Sequence, residues 1–244
     1  MTAPIVLIVG AGDYIGAAIA RRFAQGGFVV CLARRNGDKL TDLVDEIAAS
    51  GGVAYKFSMD ARDEEQTADL FKTIERDIGA LDLVIFNVGG NVHFPILETT
   101  SRVFRKVWEM ACFAGFLTGR EAARYMVPRG RGKVFFTGAS ASLRGKSGYS
   151  AFAAGKAGLR MVAQSMAREL GPQNIHVAHL IIDAAVDTDF IRERFKAQGK
   201  DPDRLPEDSL MNPSSVAEAY WSLYHQRKDG WSHELDLRPF SETW

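Results

Sequence analysis

Short apolar runs alternate with longer amphipathic segments along the chain. The first apolar run, residues 5–9, ends in the stretch GAGDYIG, after which Ile15, Ile19 and Phe23 recur at helical spacing. This pattern indicates a strand, a tight turn and a helix, and the same alternation then repeats. Further strands are predicted at residues 28–33, 53–58, 81–86, 133–137, 175–182 and 235–237, and further helices at residues 38–50, 64–78, 101–126, 149–170 and 213–227.

The alternation predicts the fold class. Strands separated by helices of this length pair in parallel through right-handed crossovers, so we expect an α/β, doubly wound fold with helices on both faces of a seven-stranded, mainly parallel sheet. The 244 residues fit one large domain, and no repeat or linker divides them. In such a fold the ligand binds at the carboxyl ends of the strands. The polar segment 187–212, which contains Pro202 and Pro206, is predicted to be a mobile flap beside that site.

Composition narrows the kind of partner. Lys+Arg and Asp+Glu both number 30, so net charge favours neither nucleic acid nor a membrane surface. No apolar run approaches the ~20 residues of a membrane helix, and the N-terminal stretch is predicted to be the first strand. Cys31 and Cys112 have no metal or disulfide spacing, which is typical of a reducing cytoplasm. We therefore expect a cytoplasmic protein with a small-molecule partner.

The glycine-rich turn after the first strand is the first candidate binding element. Gly10, Gly12 and Gly16 allow the backbone to approach a pyrophosphate, and the following helix offers unpaired N–H groups at its N-terminus. Ile15, at the start of that helix, is placed with them as a cofactor-binding residue. Without further evidence, the alternative is a glycine-rich turn that serves only tight packing of the strand and the helix.

Residues 133–160, KVFFTGASASLRGKSGYSAFAAGKAGLR, join a buried strand, a small-residue loop and a helix that carries Lys156. With the glycine turn, this segment resembles the active-site segment of the short-chain dehydrogenase/reductase family, whose members have a Rossmann fold and use a nicotinamide cofactor to oxidise or reduce small molecules. The family shows Tyr-x-x-x-Lys with a Ser thirteen positions before the Tyr. Lys156 matches, but Phe152 and Ala139 replace the Tyr and the Ser, and Ala111 stands where the family has a catalytic Asn.

The glycine turn fits this resemblance in part. The family pattern Thr-Gly-x-x-x-Gly-x-Gly aligns its outer glycines with Gly10 and Gly16 and its middle glycine with Tyr14. The resemblance implies that the turn binds the cofactor phosphates. Gly12 supplies some of the backbone conformational freedom that is lost where Tyr14 replaces the middle glycine.

The end of the second strand indicates which cofactor is used. Ala33 stands where relatives that prefer NAD have an acid for the ribose diol, and Arg34, Arg35 and Asn36 follow it. A 2′-phosphate suits a planar, bidentate guanidinium, so this pattern predicts NADP(H). The alternative for Arg35 is a solvated surface side chain.

Three later strand ends match the family as well. Asp60 and Ala61 resemble the adenine contact, although Asp60 as a helix cap is the alternative. Asn87 and Gly89 resemble the Asn-Ala-Gly in which the Asn stabilises the sheet and the Gly lies against the cofactor. Thr188 follows the sixth strand, where the family has a Thr that binds the carboxamide, although the connection is one residue longer here.

Tyr149 and Lys156 are the predicted catalytic residues. The resemblance implies that Lys156 binds the nicotinamide ribose, and Tyr149 lies seven positions earlier. At ~100° per residue, two helical turns place the pair on one face about 10 Å apart. This Tyr-x6-Lys spacing is that of the divergent enoyl reductases within the family. The alternative for Tyr149 is an ordinary aromatic at a helix start.

These observations predict an NADP(H)-dependent oxidoreductase that reduces a small molecule at a C=O or an activated C=C bond. Three classes stay open: a reductase whose acid is Tyr149, a carbonyl reductase with another acid, and an NADP(H)-binding protein without turnover. No metal site is expected, because His176 and His179 point to opposite faces of a strand. Small residues in the helices 101–126 and 149–170 predict a homodimer or homotetramer through those helices.

Overall fold

Seven strands form one sheet with the order β3-β2-β1-β4-β5-β6-β7. In this computed structural model, which describes residues 3–242, every pairing within the sheet is parallel. The strands are β1 Ile5–Val9, β2 Val29–Arg34, β3 Val53–Ser58, β4 Leu81–Phe86, β5 Gly132–Thr137, β6 Ile175–Ile182 and β7 Glu234–Leu237. The order reverses between β1 and β4, so the doubly wound sheet predicted from the sequence is confirmed.

Helices cover both faces of this sheet. They are α1 Ile15–Gln25, α2 Thr41–Ala49, α3 Glu64–Asp77, α4 Ser101–Trp108, α5 Ala114–Arg129, α6 Ser150–Leu170, α7 Asp189–Ala197 and α8 Pro213–His225. None of the helices within residues 3–242 has both the length and the apolar character that crossing a membrane requires.

Alternate strand residues form two cores, one on each face. Val6 and Ile8 of β1 pack with Phe23 of α1 and Tyr220 of α8. On the other face, Leu7 belongs to a second core that also contains buried residues of α3, α5 and α6. Because successive side chains of a strand point to opposite faces, five consecutive apolar residues in β1 supply both cores.

The helix predicted at residues 101–126 has a different form. A π-helical turn, Glu109–Phe113, separates α4 from α5, and α5 continues to Arg129. Within the turn, Ala111 is fully buried, and a Cβ added to Gly155 of α6 would lie 2.9 Å from the Ala111 side chain. A π turn inserts one residue, which the spacing of apolar positions alone does not reveal.

Several helix and strand bounds differ from their predictions by one to three residues, and two of these differences have a clear local cause. Residue 28 precedes β2, because the Phe28 N–H donates to the carbonyl of Phe23 at 3.1 Å and closes the end of α1. The helix predicted from residue 38 starts as the 3₁₀ turn Gly37–Leu40, and Asn36 caps this turn by accepting from the Asp38 N–H. Both differences arise at helix ends, where local hydrogen bonds decide the boundary.

The predicted flap at residues 187–212 contains the helix α7 and the 3₁₀ turn Pro202–Arg204. Thr188 caps α7 by accepting from the Ile191 N–H at 3.2 Å. Arg192 forms ion pairs with Asp187 at 2.5 Å and Asp203 at 2.7 Å, which link the start of this segment to the 3₁₀ turn Pro202–Arg204. The sequence predicts no helix here, because the segment is polar with no buried residue in α7.

Candidate active site

A cleft of about 820 Å³ opens at the carboxyl ends of the strands. The structure brings all of the predicted cofactor-binding residues into its lining: Gly10, Gly12, Ile15, Gly16, Arg34, Arg35, Asp60, Ala61, Asn87, Gly89, Lys156 and Thr188. These residues come from the ends of five strands and from α1 and α6, so sequence positions almost 180 residues apart meet in one cavity. The location is the one that a doubly wound fold favours.

Two of the three glycines in the turn stand at positions that exclude side chains. Gly10 has φ +91°, and an added Cβ would lie 2.8 Å from the backbone of Asn87. A Cβ at Gly16 would lie 2.7 Å from Ala11 Cα. Nothing lies within 4 Å of a Cβ at Gly12, so this residue keeps the turn open towards the cleft. Packing therefore requires Gly10 and Gly16, whereas Gly12 leaves space for a ligand.

Tyr14, at the family's middle-glycine position, links this turn to the flap. Its hydroxyl accepts a hydrogen bond from the Asp189 N–H, at 3.1 Å, at the start of α7. Tyr14 precedes α1 and gives the helix no side-chain cap. The start of α1 therefore has no side-chain cap and lies in the lining of the cleft, and a helix N-terminus stabilises an anion. The sequence contains no signal for the contact with α7.

Cations gather at the β2 end of the cleft. Arg34, Arg35 and Lys39 line it, and the Arg34 guanidinium donates to Asp13 at 2.8 Å. The Asp13 side chain is 71% exposed, whereas that of Arg34 is 22% exposed. An ion pair as open to solvent as this is weak, so a phosphate can compete for the guanidinium.

Asp60 is held by a neighbour on its own loop. Its carboxylate accepts from the Arg62 guanidinium at 2.9 and 2.5 Å, and these hydrogen bonds lower the pKa of Asp60. Asp63, not Asp60, caps α3 by accepting from the Gln66 N–H at 3.0 Å. The helix-cap alternative for Asp60 is therefore wrong, and the adenine contact stays a prediction.

A chain of hydrogen bonds crosses the floor of the cleft. Asn87 donates to the carbonyl of Gly10 at 3.1 Å and accepts from the Thr137 hydroxyl at 2.9 Å. The Tyr220 hydroxyl lies 2.7 Å from that of Thr137, and burial raises the pKa of Tyr220. Tyr220 thus stays protonated and donates. The chain joins the ends of β1, β4 and β5 to α8, which gives Asn87 the structural role that the resemblance implies.

Lys156 is the buried cation of the site. Its side chain is 3% exposed, and its Nζ donates to the carbonyls of Thr137 at 2.7 Å and Val88 at 3.1 Å. Burial lowers the pKa of Lys156 to about 8. Two carbonyls leave one of the three ammonium N–H groups for a further acceptor. The ammonium therefore has donor capacity for a ligand in the cleft.

Apolar side chains occupy the positions of the missing family residues. Phe152 and Ala139 both line the cleft beside Lys156. Ala111 lies under the surface in the π turn, with 0% of its area exposed. Ser140 is the hydroxyl next to Ala139 in the lining. The usual acid position therefore presents a phenyl ring to a substrate.

Tyr149 lines a second cavity, of about 680 Å³, that adjoins the cleft. It is the N-cap of α6, with φ −117° and ψ 21°, so the helical-face argument that aligned it with Lys156 does not apply. The Tyr149 hydroxyl accepts from the Arg194 guanidinium, and its ring makes an edge contact with His93 at 5.0 Å between centroids. Phe152 lines both cavities and stands at their junction.

The same cavity contains an ion pair that sequence reasoning missed. Asp183, which is 1% exposed, accepts two hydrogen bonds from Arg144 at 2.8 and 2.9 Å. Asp183 directly follows β6, so its position at a strand end is the signal that could have identified it. Arg144, its partner on a loop distant in sequence, does not follow a strand, so no comparable sequence signal identifies it.

The two strand histidines have separate structural partners. His176 lies 2.8 Å from the carbonyl of Ser232 and stacks on Trp231, whereas His179 lies 3.4 Å from Ser142 on the other face of β6. Their opposite orientations agree with the prediction. Within residues 3–242, no group of three or more His, Cys, Asp or Glu side chains has an arrangement suited to a metal ion.

The order of the sheet and the glycine turn at the carboxyl ends of its strands define a Rossmann-type fold, and comparison with known proteins agrees. A family model described as short chain dehydrogenase matches residues 4–199. The chain therefore belongs to the short-chain dehydrogenase/reductase family.

Individual relatives support this membership. The 2-dehydro-3-deoxy-D-gluconate 5-dehydrogenase of Formosa agariphila is 31% identical over 176 residues, which span 71% of this chain and 66% of that protein. A short-chain dehydrogenase from Rhodopseudomonas palustris is 52% identical, with a TM-score of 0.84 over 98% of this chain and 100% of that chain. A metagenomic short-chain oxidoreductase in complex with NADP shares the fold at 22% identity, with a TM-score of 0.82 over 98% of both chains.

Proposed function

We propose that the protein is an NADP(H)-dependent oxidoreductase that reduces a small molecule at a carbonyl or at a C=C bond conjugated to a carbonyl. The observation that carries this proposal is the buried Lys156 ammonium in a cleft whose other end is lined by Arg34 and Arg35. A buried cation with a donor to spare is costly for a protein that binds nothing there. The metagenomic relative described with NADP agrees with this assignment.

The residues of the cleft fit the parts of NADP(H). The open turn at Gly12 and the uncapped start of α1 suit the pyrophosphate, and Arg34 suits the 2′-phosphate. Lys156 would hold the nicotinamide ribose through its remaining N–H, and Thr188 would contact the carboxamide. When bound, the reduced cofactor supplies a hydride to the substrate.

The reaction also needs a proton on the oxygen that gains charge. Neither Phe152 nor Ala139 offers one, so we assign the acid to Tyr149. Since the Arg194 N–H donates to the Tyr149 oxygen, the O–H of Tyr149 remains available to donate to a substrate. The adjacent guanidinium also stabilises negative charge near that oxygen.

Activated alkenes are the better match for this arrangement. In a conjugated alkene, the charged oxygen is displaced from the carbon that receives the hydride, so an acid in the adjoining cavity can meet it. A simple ketone would place its oxygen against Phe152 at the junction of the cavities. We therefore propose that enones and enoyl thioesters react faster than ketones.

A second candidate function is NADP(H) binding without turnover. It is supported by Ala111, Ala139 and Phe152, which remove three of the four polar groups of the family's usual site. Loss of a general acid costs about 10²- to 10⁴-fold in rate, so hydride transfer is slowed and not abolished.

The deciding experiment measures NADPH oxidation with a panel of enones, enoyl thioesters and ketones. Tyr149→Phe is compared with Tyr55→Phe, a matched control at a tyrosine 44% exposed on β3. We expect Tyr149→Phe to lower turnover by about tenfold or more with NADPH affinity unchanged, and Tyr55→Phe to change neither. If Tyr149→Phe keeps full activity, Tyr149 is not the proton donor. If NADPH binds and no compound reacts, the binding protein is the better description.

A further inference from the structure

The second cavity has a distinctly cationic lining. Its lining contains four basic side chains and two carboxylates. The basic residues are Arg144, Lys146, Arg194 and Lys200, and the acidic residues are Asp183 and Glu242. The cavity adjoins the cofactor cleft through residues that line both, among them Phe152 and Ser140. A molecule whose reacting group lies at this junction therefore extends into the cationic region.

One of the four cations is already neutralised. Arg144 makes its two hydrogen bonds to the buried carboxylate of Asp183, and Arg238 approaches the same carboxylate at 3.6 Å. A carboxylate buried to this degree is stable only when it is paired. Arg144 and Asp183 thus form part of the wall and contribute little net charge to a ligand.

The other three cations differ from Arg144 in their pairing. Within residues 3–242, neither Lys146 nor Arg194 nor Lys200 forms an ion pair. Arg194 is oriented by the Tyr149 hydroxyl, and its guanidinium lies 5.6 Å from the centre of the Tyr149 ring. The partly buried Arg194 is thereby held with its remaining N–H groups available. Glu242 also forms no ion pair within residues 3–242, so positive charge is in excess among the described residues of the lining.

Besides its charged groups, the lining combines polar side chains such as Asn91 and Gln198 with apolar ones. The large apolar side chains are Phe152, which lines both cavities, and Ile191 and Phe195 of α7. Apolar side chains beside a charge exclude water and strengthen its interaction with a ligand. The cavity therefore suits a molecule with an apolar stem and an anionic end.

We infer that the substrate is an organic anion, whose carboxylate or phosphate binds to Arg194 and Lys146 while its reacting carbonyl or alkene lies at Phe152. This inference rests on the proposed oxidoreductase function, because the cofactor cleft fixes which end reacts. Arg194 matches either anion in a planar, bidentate way, and Lys146 adds a mobile point charge at the exposed rim.

The test compares anions with neutral partners of the same shape. Calorimetric titrations are made on the protein saturated with NADP⁺, using 4-oxopentanoate and 8-oxononanoate beside their methyl esters, and dihydroxyacetone phosphate beside dihydroxyacetone. We expect one anion class to bind about tenfold more tightly than its neutral partner. That preference should disappear in Arg194→Gln and weaken in Lys146→Gln, and persist in Arg131→Gln, an exposed arginine at the opposite end of β5.

Equal affinities for every anion and its neutral partner, or an unchanged preference in Arg194→Gln, would overturn the inference. The NADP⁺ titration of the same preparation keeps the two proposals apart. If NADP⁺ binds without any anion preference, the cofactor part of the proposed function stands and the anion site is wrong. If NADP⁺ does not bind, the oxidoreductase assignment is wrong, and the anion titrations on the cofactor-free protein still decide the cavity's preference.

Discussion

The Arg34 guanidinium lies 2.8 Å from the Asp13 carboxylate, which joins the glycine turn to the end of β2 across the cleft. The residue proposed to bind a 2′-phosphate therefore already has an anionic partner. Because Asp13 is largely exposed, the pair contributes at most about 1 kcal/mol, and a phosphate with nearly two charges displaces it. Binding of a 2′-phosphate to Arg34 therefore has to displace the Asp13 carboxylate.

Cofactor preference is the first prediction. We expect NADP(H) to bind at least about tenfold more tightly than NAD(H), a difference of about 1.4 kcal/mol, because Ala33 offers no carboxylate to the ribose diol. Arg34→Ala should reduce this preference strongly, and Arg131→Ala should leave it unchanged. Calorimetric titration with both cofactors measures the preference. Equal affinities in the parent protein would contradict the phosphate assignment.

The second prediction concerns Asp13. Asp13→Asn keeps the shape of the side chain and removes its charge, so Arg34 no longer has a competing carboxylate. NADPH affinity should rise by about two- to fivefold, the equivalent of a surface ion pair, while NADH affinity changes less. The same titrations at low and high salt provide the check, since the gain should shrink as salt increases. A loss of NADPH affinity would show that Asp13 orients Arg34.

The third prediction restores the missing hydroxyls. Phe152 lines the cleft beside Lys156, so Phe152→Tyr combined with Ala139→Ser would present an acid at the junction of the cavities. Reduction of simple ketones should rise by about 10²-fold or more. Phe152→Leu combined with Ala139→Ser is the matched control that adds no acid. The measurement is ketone turnover with NADPH. Equal rates in both double variants would mean that a tyrosine hydroxyl at residue 152 does not act as the acid.

Assembly is the fourth prediction. Exposed apolar side chains lie on α4, α5 and α6, namely Phe104 (40%), Trp108 (39%), Phe116 (39%) and Met161 (48%). We propose that a second copy of the chain covers them, in a homodimer or homotetramer. Light scattering should therefore give a multiple of 26.9 kDa, and Trp108→Lys with Met161→Glu should lower it. Val53→Lys, at a residue 47% exposed on β3, should not. A monomeric parent would contradict the proposal.

The fifth prediction concerns pH and stability. Burial lowers the pKa of both His176 and His179 from 6.5 to about 4. Between these values the unfolded chain binds more protons than the folded one, so the free energy of unfolding falls as pH decreases from 7 towards 4. At pH 5 the loss is roughly 1 to 2 kcal/mol for each histidine.

Urea titrations at pH 7 and pH 5 test this dependence. His176→Phe keeps the ring beside Trp231, and it should reduce the pH dependence of the unfolding free energy. His225→Gln, at an exposed histidine, serves as the control. An unchanged pH dependence in His176→Phe would show that other groups cause it.

The sheet was predictable because its signals are local. The predicted bounds of β3, β4 and β6 are those of the structure, since each is an apolar or alternating run that starts after a turn. The strand ends then identify the cleft, because parallel strands present their carboxyl ends to one edge. This is why all of the predicted cofactor residues meet there although they are far apart in sequence.

Other parts of the site depend on contacts between distant segments. Nothing near Asp13 in the sequence predicts its pairing with Arg34, and nothing near Tyr149 predicts Arg194. Tyr149 also shows that spacing alone is insufficient, because the residue caps α6 and lies outside the helical geometry assumed for it. Exposed charges follow no period, so their partners become visible only in the folded chain.

The π turn at Glu109–Phe113 makes the length of this part of the chain as important as its residues. One residue fewer would turn it into an ordinary α-helical turn and rotate α4 by about 100° relative to α5. Val107, which is buried against Phe152, would then face away from α6. Deletions and insertions should therefore be tolerated far less here than in the loops of the chain, even though Ala111 has no functional group that could take part in catalysis.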